Sequence, residues 1–257
     1  QGQVIVGQNI ITNSLGFCIS IVSTVIDGNG NPHQGPVRVG RELNTFNLLP
    51  VVVVTDNILA ENTLGGISLS GDSSAGQTGA VPFARIINNT IVGTGAGTGI
   101  QISNNASPTL LNNIVADVNV GIDIDPSSST SVIGGMVYVN NVTDATASKG
   151  DFSIDIDAAA GAALCQDAAN VNYYLAPGAL AIYSAVDSVV ERDEMHTLKS
   201  PMGIADSPIL VSSYDAIGQR RVDDPSVSTP TGIGHEVFKD RGALDRADFV
   251  GPQAVIV

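Results

Sequence analysis

Through the first 157 residues, apolar and polar positions alternate with a period of two. In Gly121-Ile122-Asp123-Ile124-Asp125 the aliphatic side chains face one way and the carboxylates the other. Phe152-Ser153-Ile154-Asp155-Ile156-Asp157 repeats the pattern, and is expected one coil later. Such alternation predicts strands, and helical spacing is not seen across this stretch. The β-branched runs Val51-Val52-Val53-Val54 and Ile86-Ile87 fit strands as well.

Superimposed on the alternation is a phrase written four times: a polar pair, an Ile, a short loop, then Gly and alternating apolar residues. The copies are Gln8-Asn9-Ile10 to Gly16-Phe17-Cys18-Ile19, Asp56-Asn57-Ile58 to Gly66-Ile67-Ser68-Leu69, Asn89-Thr90-Ile91 to Gly99-Ile100-Gln101-Ile102, and Asn112-Asn113-Ile114 to Gly121-Ile122-Asp123-Ile124. A phrase recurring at short period predicts stacked repeats. Gly99 and Gly121 lie 22 residues apart, a length that suits a coil of three short strands. The earlier Gly-to-Gly gaps of 50 and 33 need outward loops, for which Ile26–Leu49 and Gly71–Pro82 are the candidates. On this reading Ile10, Ile58, Ile91 and Ile114 pile up in a dry shaft. The polar pairs make corners, where Asn and Asp tolerate left-handed backbone. Their amides can also hydrogen-bond along the stack, as Asn ladders do. A ligand-binding row is the other use for these residues.

Asn88-Asn89-Thr90-Ile91-Val92 with Gly99-Ile100-Gln101-Ile102, and Asn112-Asn113-Ile114-Val115 with Gly121-Ile122-Asp123-Ile124, resemble the right-handed parallel β-helix repeats of bacterial surface and secreted proteins. The resemblance implies an all-β fold, a right-handed parallel β-helix with three strands per coil, over residues 1–163. It extends to a tail at 164–257. Tyr173-Tyr174-Leu175-Ala176-Pro177-Gly178-Ala179-Leu180-Ala181-Ile182, Asp215-Ala216-Ile217-Gly218-Gln219-Arg220 and Asp240-Arg241-Gly242-Ala243-Leu244-Asp245 resemble the L-x-P-G-S-P-A-I-D, D-x-x-G-x-x-R and D-I-G-A-Y-E phrases that end many such proteins. Ala179-Leu180 and Tyr183 replace the Ser-Pro and the Asp of the first phrase, and Arg241 and Asp245 depart from the last.

A coil end exposes strand edges, so the tail is expected to fold along or over the last coils as a less regular cap. Ion pairs within it are expected among Arg220, Arg221, Asp223, Asp224, Arg241 and Asp245, and a short helix over Asp187–Leu198. The last residues, Phe249 to Val257, look like the start of another strand and lead toward a possible further module. No signal-peptide pattern precedes Gln1-Gly2-Gln3-Val4, so the chain reads as a piece of something longer, or a matured segment.

Charge narrows the partners. The net charge is −14 with three Lys, which argues against nucleic acid and against anionic membrane surfaces. No apolar run approaches the length of a membrane span, so no membrane insertion is expected. Of the two cysteines, Cys18 is expected to point outward. Two unpaired thiols are favoured over a Cys18–Cys165 disulfide, and no zinc-ligand spacing occurs.

The candidate chemistry is carboxylate chemistry. If their strands are adjacent, Asp123, Asp125, Asp155 and Asp157 stack about 4.8 Å apart. Like charges that close need a cation or solvent. A solvated acidic face is the favoured reading, followed by a calcium site and then by catalytic carboxylates. Residues 100–148 contain no Lys or Arg to act as a lyase base, and Trp is absent, so aromatic sugar platforms are few. Asp27-Gly28-Asn29-Gly30-Asn31 is read as a plain turn, because Arg38 stands where a calcium loop needs Glu. The chain is therefore expected to be a non-catalytic structural or adhesive module of a larger extracellular or cell-surface bacterial protein: a stalk, fibre or sheath unit. Its partners would be neighbouring modules or copies of itself, end to end. The alternatives are a lyase or glycoside hydrolase acting on polysaccharide through the Asp face, or a calcium-dependent module that binds cell-surface or extracellular polysaccharide.

Overall fold

The structure is a computed structural model, and it describes residues 4–22, 24–26, 32–34, 52–71, 83–156, 163–190, 200, 203, 208–223 and 230–246. The first coil is β1 (Val4–Gly7), β2 (Ile10–Thr12) and β3 (Phe17–Val22). An antiparallel hairpin, β4 (Thr24–Ile26) with β5 (Pro32–Gln34), branches off after it. The second coil is β6 (Val52–Thr55), β7 (Ile58–Ala60) and β8 (Gly65–Ser70). The third is β9 (Arg85–Ile87), β10 (Thr90–Val92) and β11 (Thr98–Ser103). The fourth is β12 (Thr109–Leu111), β13 (Ile114–Ala116) and β14 (Val120–Ile124). The fifth is β15 (Val132–Gly134), β16 (Val137–Val139) and β17 (Thr143–Ala145), and a partial sixth adds β18 (Ile154–Ile156).

Equivalent strands stack in parallel into three sheets: β1-β6-β9-β12-β15, β2-β7-β10-β13-β16-β18 and β3-β8-β11-β14-β17. This is a parallel β-helix, as the repeat predicts. The two expected loops, Ile26–Leu49 and Gly71–Pro82, fall between coils one and two and between two and three; most of their residues lie outside those described, as does the Asp27–Asn31 turn.

The stacking corrects the alignment of the phrase. Thr90, not Ile91, lies in register with Ile10, Ile58 and Ile114. The third pair is therefore Asn88-Asn89. A one-residue shift exchanges the two faces of a strand, so the pile expected in the shaft is on the other side. Ile58 and Ile114 pack outward against the C-terminal residues, while Leu59, Ile91, Val115 and Tyr138 fill the interior. There they meet Ile67, Ile100 and Ile122 of the third sheet and Val54, Ile86 and Leu110 of the first. Ile122 faces in and Asp123 is half-exposed, as the alternation predicts.

The second member of each pair forms a ladder inside the coil. Asn9 Nδ2 donates to Asn57 Oδ1, Asn57 Nδ2 to Asn89 Oδ1, and Asn89 Nδ2 to Asn113 Oδ1, each at 2.9 Å. The backbone N–H groups of Asn9, Asn57 and Asn89 donate to the same oxygens. The second amide hydrogen of each buried Asn goes to a carbonyl of the coil before: Val6 O, Val54 O and Ile86 O. Met136 takes the ladder position in the fifth coil and ends the series.

A second column runs through the third sheet. Gly66, Gly99 and Gly121 are in register, and the first coil puts Cys18 there rather than Gly16. Cys18 is not outward as expected: it is half-buried against the core, and burial pushes its thiol up to about 11. Both cysteines are free thiols. A Cβ on Gly99 would come within 2.3 Å of Val115 Cγ1 and 2.6 Å of Gly121 O, while one on Gly16 would meet nothing within 4 Å. We expect Gly99→Ala to lose about 1–3 kcal/mol through overpacking and Gly16→Ala to unfold like the native chain in urea. Equal losses would show that the column is misassigned.

After the sixth coil, the described residues form two short antiparallel pairs, β19 (Cys165–Asp167) with β20 (Asn172–Leu175), and β21 (Ser188–Val189) with β22 (Ile209–Leu210). The expected helix at Asp187–Leu198 begins instead with strand β21, and 191–198 lie outside the described residues. This segment lies along the flank of the coil. Leu164, Tyr173, Leu175, Ala181 and Leu244 cover the outer face of the second sheet, and Val186 and Ile209 cover Ile87 and Leu111 of the first. Burying each such aliphatic is worth about 1.5–3 kcal/mol.

Candidate functional site

Of the four aspartates singled out in the sequence, the three described ones, Asp123, Asp125 and Asp155, are not brought together. Asp123 is on β14 in the third sheet, in an outward column that reads Ser20, Ser68, Gln101, Asp123. Its carboxylate accepts a hydrogen bond from Thr146 Oγ1 at 3.1 Å. Asp125 caps a short turn at Pro126–Ser128. Burial alone would raise its pKa, but the Ser127 hydroxyl and the N–H groups of Asn104, Ser127 and Ser128 outweigh it and hold the carboxyl below its usual range. Asp125 is thus occupied as a turn residue.

Asp155 is on β18 of the second sheet, opposite Tyr138, so it lies two coils beyond Asp123 rather than one, and in another sheet. The expected stacking of Asp155 on Asp123 does not occur, and Asp157 lies outside the described residues. Among the described residues, no three His, Cys, Asp or Glu side chains are placed to hold one metal ion.

Asp155 belongs instead to a charged lid at the far end of the shaft. Lys149 Nζ bonds Asp144 at 2.6 Å and Asp155 at 3.0 Å, and sits 5.7 Å from the centre of the Tyr138 ring. The Tyr138 hydroxyl donates to Lys149 O at 2.9 Å. Burial first, then the two carboxylates, raises the Tyr138 pKa, so the phenol stays protonated.

The first member of each polar pair has a different task from the second. Gln8, Asp56, Asn88 and Asn112 all have left-handed backbone, with φ between 51° and 58°. Each grips the C-terminal segment. Gln8 Nε2 donates to Asp215 O, Asn88 Nδ2 to Asp240 O and Gly242 O, and Asn112 Nδ2 to Val186 O while its Oδ1 accepts from Val186 N. Asp56 pairs with Arg221 at 3.1 Å, both side chains almost fully buried. Thr90, in the Ile column, accepts from Ala243 N at 2.9 Å.

One of the tail's charges pairs outside the tail, with the coil. Arg221 makes its ion pair with Asp56 of the coil and also donates to Asp240 O and Gly242 O within the tail. Arg241 donates to backbone carbonyls of Ser184, Met136 and Phe152, and Asp223 accepts from the Tyr183 hydroxyl. Asp224 lies outside the described residues. The four anchors went unseen in the sequence, although one signal was there: in correct register the second position is Asn each time, while the first varies among Gln, Asp and Asn.

Asp240 is a strongly perturbed buried acid. Burial, and after it the neighbouring Asp245, push it from 3.8 up to about 8, against the stabilising N–H groups of Tyr183 and Arg246 and the charge of Arg221. The folded chain thus holds this proton more tightly than the unfolded one. The linked stability is fully present below pH 3.8 and is lost as pH rises to about 8. Asp56 is raised by burial too, and adds in the same direction. We expect the urea midpoint to fall across that window and the fall to shrink in Asp245→Asn. A midpoint that rises with pH throughout would contradict this.

A cavity of about 300 Å³ lies between the coil and the tail near the first coil, lined by Ile10, Ile58, Tyr173, Tyr174, Ile217 and Leu244. Its walls are mostly apolar. Comparison of this chain with protein-family models, with curated proteins and with solved structures finds no match.

Proposed function

We propose that this chain is a non-catalytic structural or adhesive module of a larger secreted or cell-surface bacterial protein, working as a stiff segment of a stalk, fibre or sheath. The observation that carries this reading is the continuous Asn9–Asn57–Asn89–Asn113 ladder within a filled shaft, held from outside by the tail at the corners of four successive coils. Buried amides with every hydrogen bond made fix one register and resist sliding of coil over coil. Side chains that could have served a ligand are spent on this bracing: Asp125 on a turn, Asp155 on a lid, Asp56 on the tail.

The test is mechanical and chemical. Pulled from its two ends in a single-molecule instrument, the chain should unfold at high force in one cooperative event, and the force should drop in Asn89→Ala. In parallel, acidic and neutral polysaccharides are incubated with the protein, with and without EDTA. Turnover, or calcium-dependent glycan retention, that disappears in Asp123→Ala would replace the structural reading by one of the glycan readings.

A further inference from the structure

Residues 239–246 bind the tail to itself and to the coil. Within the tail, Lys239 O accepts from Ala185 N, Arg241 N donates to Ala181 O, and Ala243 O accepts from Ala216 N. On the coil, Gly242 N donates to Asn112 O and Ala243 N to Thr90 Oγ1, while Asp240 O and Gly242 O both accept from Asn88 Nδ2. Only Ala243 and Leu244 of this loop join the apolar cover of the second sheet, so its hold is chiefly polar. Two of its carboxylates, Asp240 and Asp245, are fully buried. Both oxygens of Asp240 take backbone N–H groups, from Tyr183 at 2.7 Å and Arg246 at 2.6 Å; among the described residues no cationic side chain bonds to them. Asp245 Oδ2 accepts from Val222 N. Three neighbouring cations have other partners. Arg221, from the hairpin around Tyr214 and Arg220, pairs with Asp56 of the second coil and donates to the carbonyls of Asp240 and Gly242. Lys239 bonds to Glu236 and Val211 O, and Arg241 to the carbonyls of Ser184, Met136 and Phe152. Of the other acids nearby, Asp215 accepts from the N–H groups of Ile217 and Gln219, and Asp223 from the Tyr183 hydroxyl.

We propose that this loop is a pH-operated latch: it stays seated on the coil while the Asp240–Asp245 pair keeps a proton, and swings free when both carboxylates are charged. Two like charges in one buried loop repel each other and have lost their water. Burial and Asp245 hold the Asp240 proton up to about pH 8 in the seated loop, against 3.8 for an exposed Asp. The seated loop is therefore favoured in acid, and the open loop gains as pH rises. Little apolar burial opposes the opening, because Ala243 and Leu244 are all that the loop adds to the cover. The junction is also poorer in hydrogen bonds than the shaft. Asn88 Oδ1 and Arg221 Nε are buried there and make none, whereas Asn57 and Asn89 of the ladder use both amide hydrogens and the oxygen. Partly satisfied polar networks are where a fold gives way first. Opening is thus local: the loop leaves while the Asn9–Asn57–Asn89–Asn113 ladder keeps the coils in register. The bonds to Ala181, Ala185 and Ala216 go with it, which loosens the rest of the tail from the outer face of the second sheet. This latch goes beyond the structural reading and does not depend on it.

Native-state hydrogen exchange of the 257-residue chain, followed amide by amide, tests the latch. The amides of Arg241, Gly242 and Ala243 should be less protected than those of Asn57 and Asn89 at every pH. Corrected for intrinsic rates, their protection should fall on the order of tenfold to a hundredfold between pH 6 and pH 8. The Asp240 carboxyl carbon, read by NMR, should titrate with a midpoint near 8 over the same range. Asp245→Asn removes the facing charge, so it should lower that midpoint and shrink the fall in protection. One common protection for loop and ladder amides overturns the proposal, since opening would then be global. Loop protection that does not change with pH overturns it too, as does an Asp240 carboxyl that titrates near 4 in the native chain. The last two are read without any variant.

Discussion

Asn89→Ala is expected to cost about 3–5 kcal/mol of unfolding free energy, at the upper end of what single substitutions do. Asn89 is fully buried in the middle of the ladder. Its amide donates to Asn113 Oδ1, Val54 O and Ile87 O, and its oxygen accepts from the side chain and backbone of Asn57. Alanine leaves those partners in a dry interior without a bond, at about 1–3 kcal/mol for each group that cannot rearrange. A cavity adds to the loss. Asn9→Ala is the control. Asn9 sits at the exposed end of the same ladder, where water replaces what is removed, and the loss should stay near 1 kcal/mol. Urea unfolding of both variants decides the matter; comparable losses would mean that the ladder does not stabilise through burial.

Arg221→Met should be of similar size, about 3–5 kcal/mol, because it strands a buried carboxylate. Asp56 is 4% exposed, and its oxygens are met by Arg221 and by the Thr55 hydroxyl, itself bonded to Ser212. Burial already raises the Asp56 pKa, and the guanidinium is the foremost influence opposing that rise. Without it the acid must stay protonated or the tail must lift. The same Arg holds Gly242 O at 2.7 Å, so the loss should appear as early hydrogen exchange in 240–244 and in the second coil. Arg221→Met/Asp56→Asn removes the stranded charge and should recover part of the loss. If the double variant is as unstable as the sum of the singles, the pair is not coupled.

Much of the coil could be read before folding. The β-branched runs Val51–Val54 and Ile86–Ile87 and the period-two alternation at Gly121–Asp125 marked strands that the structure places at Val52–Thr55, Arg85–Ile87 and Val120–Ile124, and the 22-residue spacing of Gly99 and Gly121 is one coil. The slip at Thr90 shows the limit of that reading. Ile91 satisfies a pattern of polar pair then Ile, and only the pairing of Asn89 with Asn57 and Asn113 excludes it. Asp123 and Asp155 stay apart for a related reason: Ile-Asp-Ile occurs in β14 and again in β18, but the turns between them carry the second copy into a different sheet.

By itself, the sequence determined the architecture, because short-range alternation and an Asn in each of the first four coils specify which residues can stack on which. It determined as well that the polar pairs are corners, since left-handed backbone is a local preference of Asn and Asp. The tertiary structure alone decided which face of the second sheet is core and which is covered by the tail. Alone it also decided that Gln8, Asp56, Asn88 and Asn112 hold that tail, and that Asp155 closes the shaft beside Lys149. Those outcomes depend on contacts between residues 6 to 207 positions apart, and a pattern with a period of two or twenty-two contains no record of them.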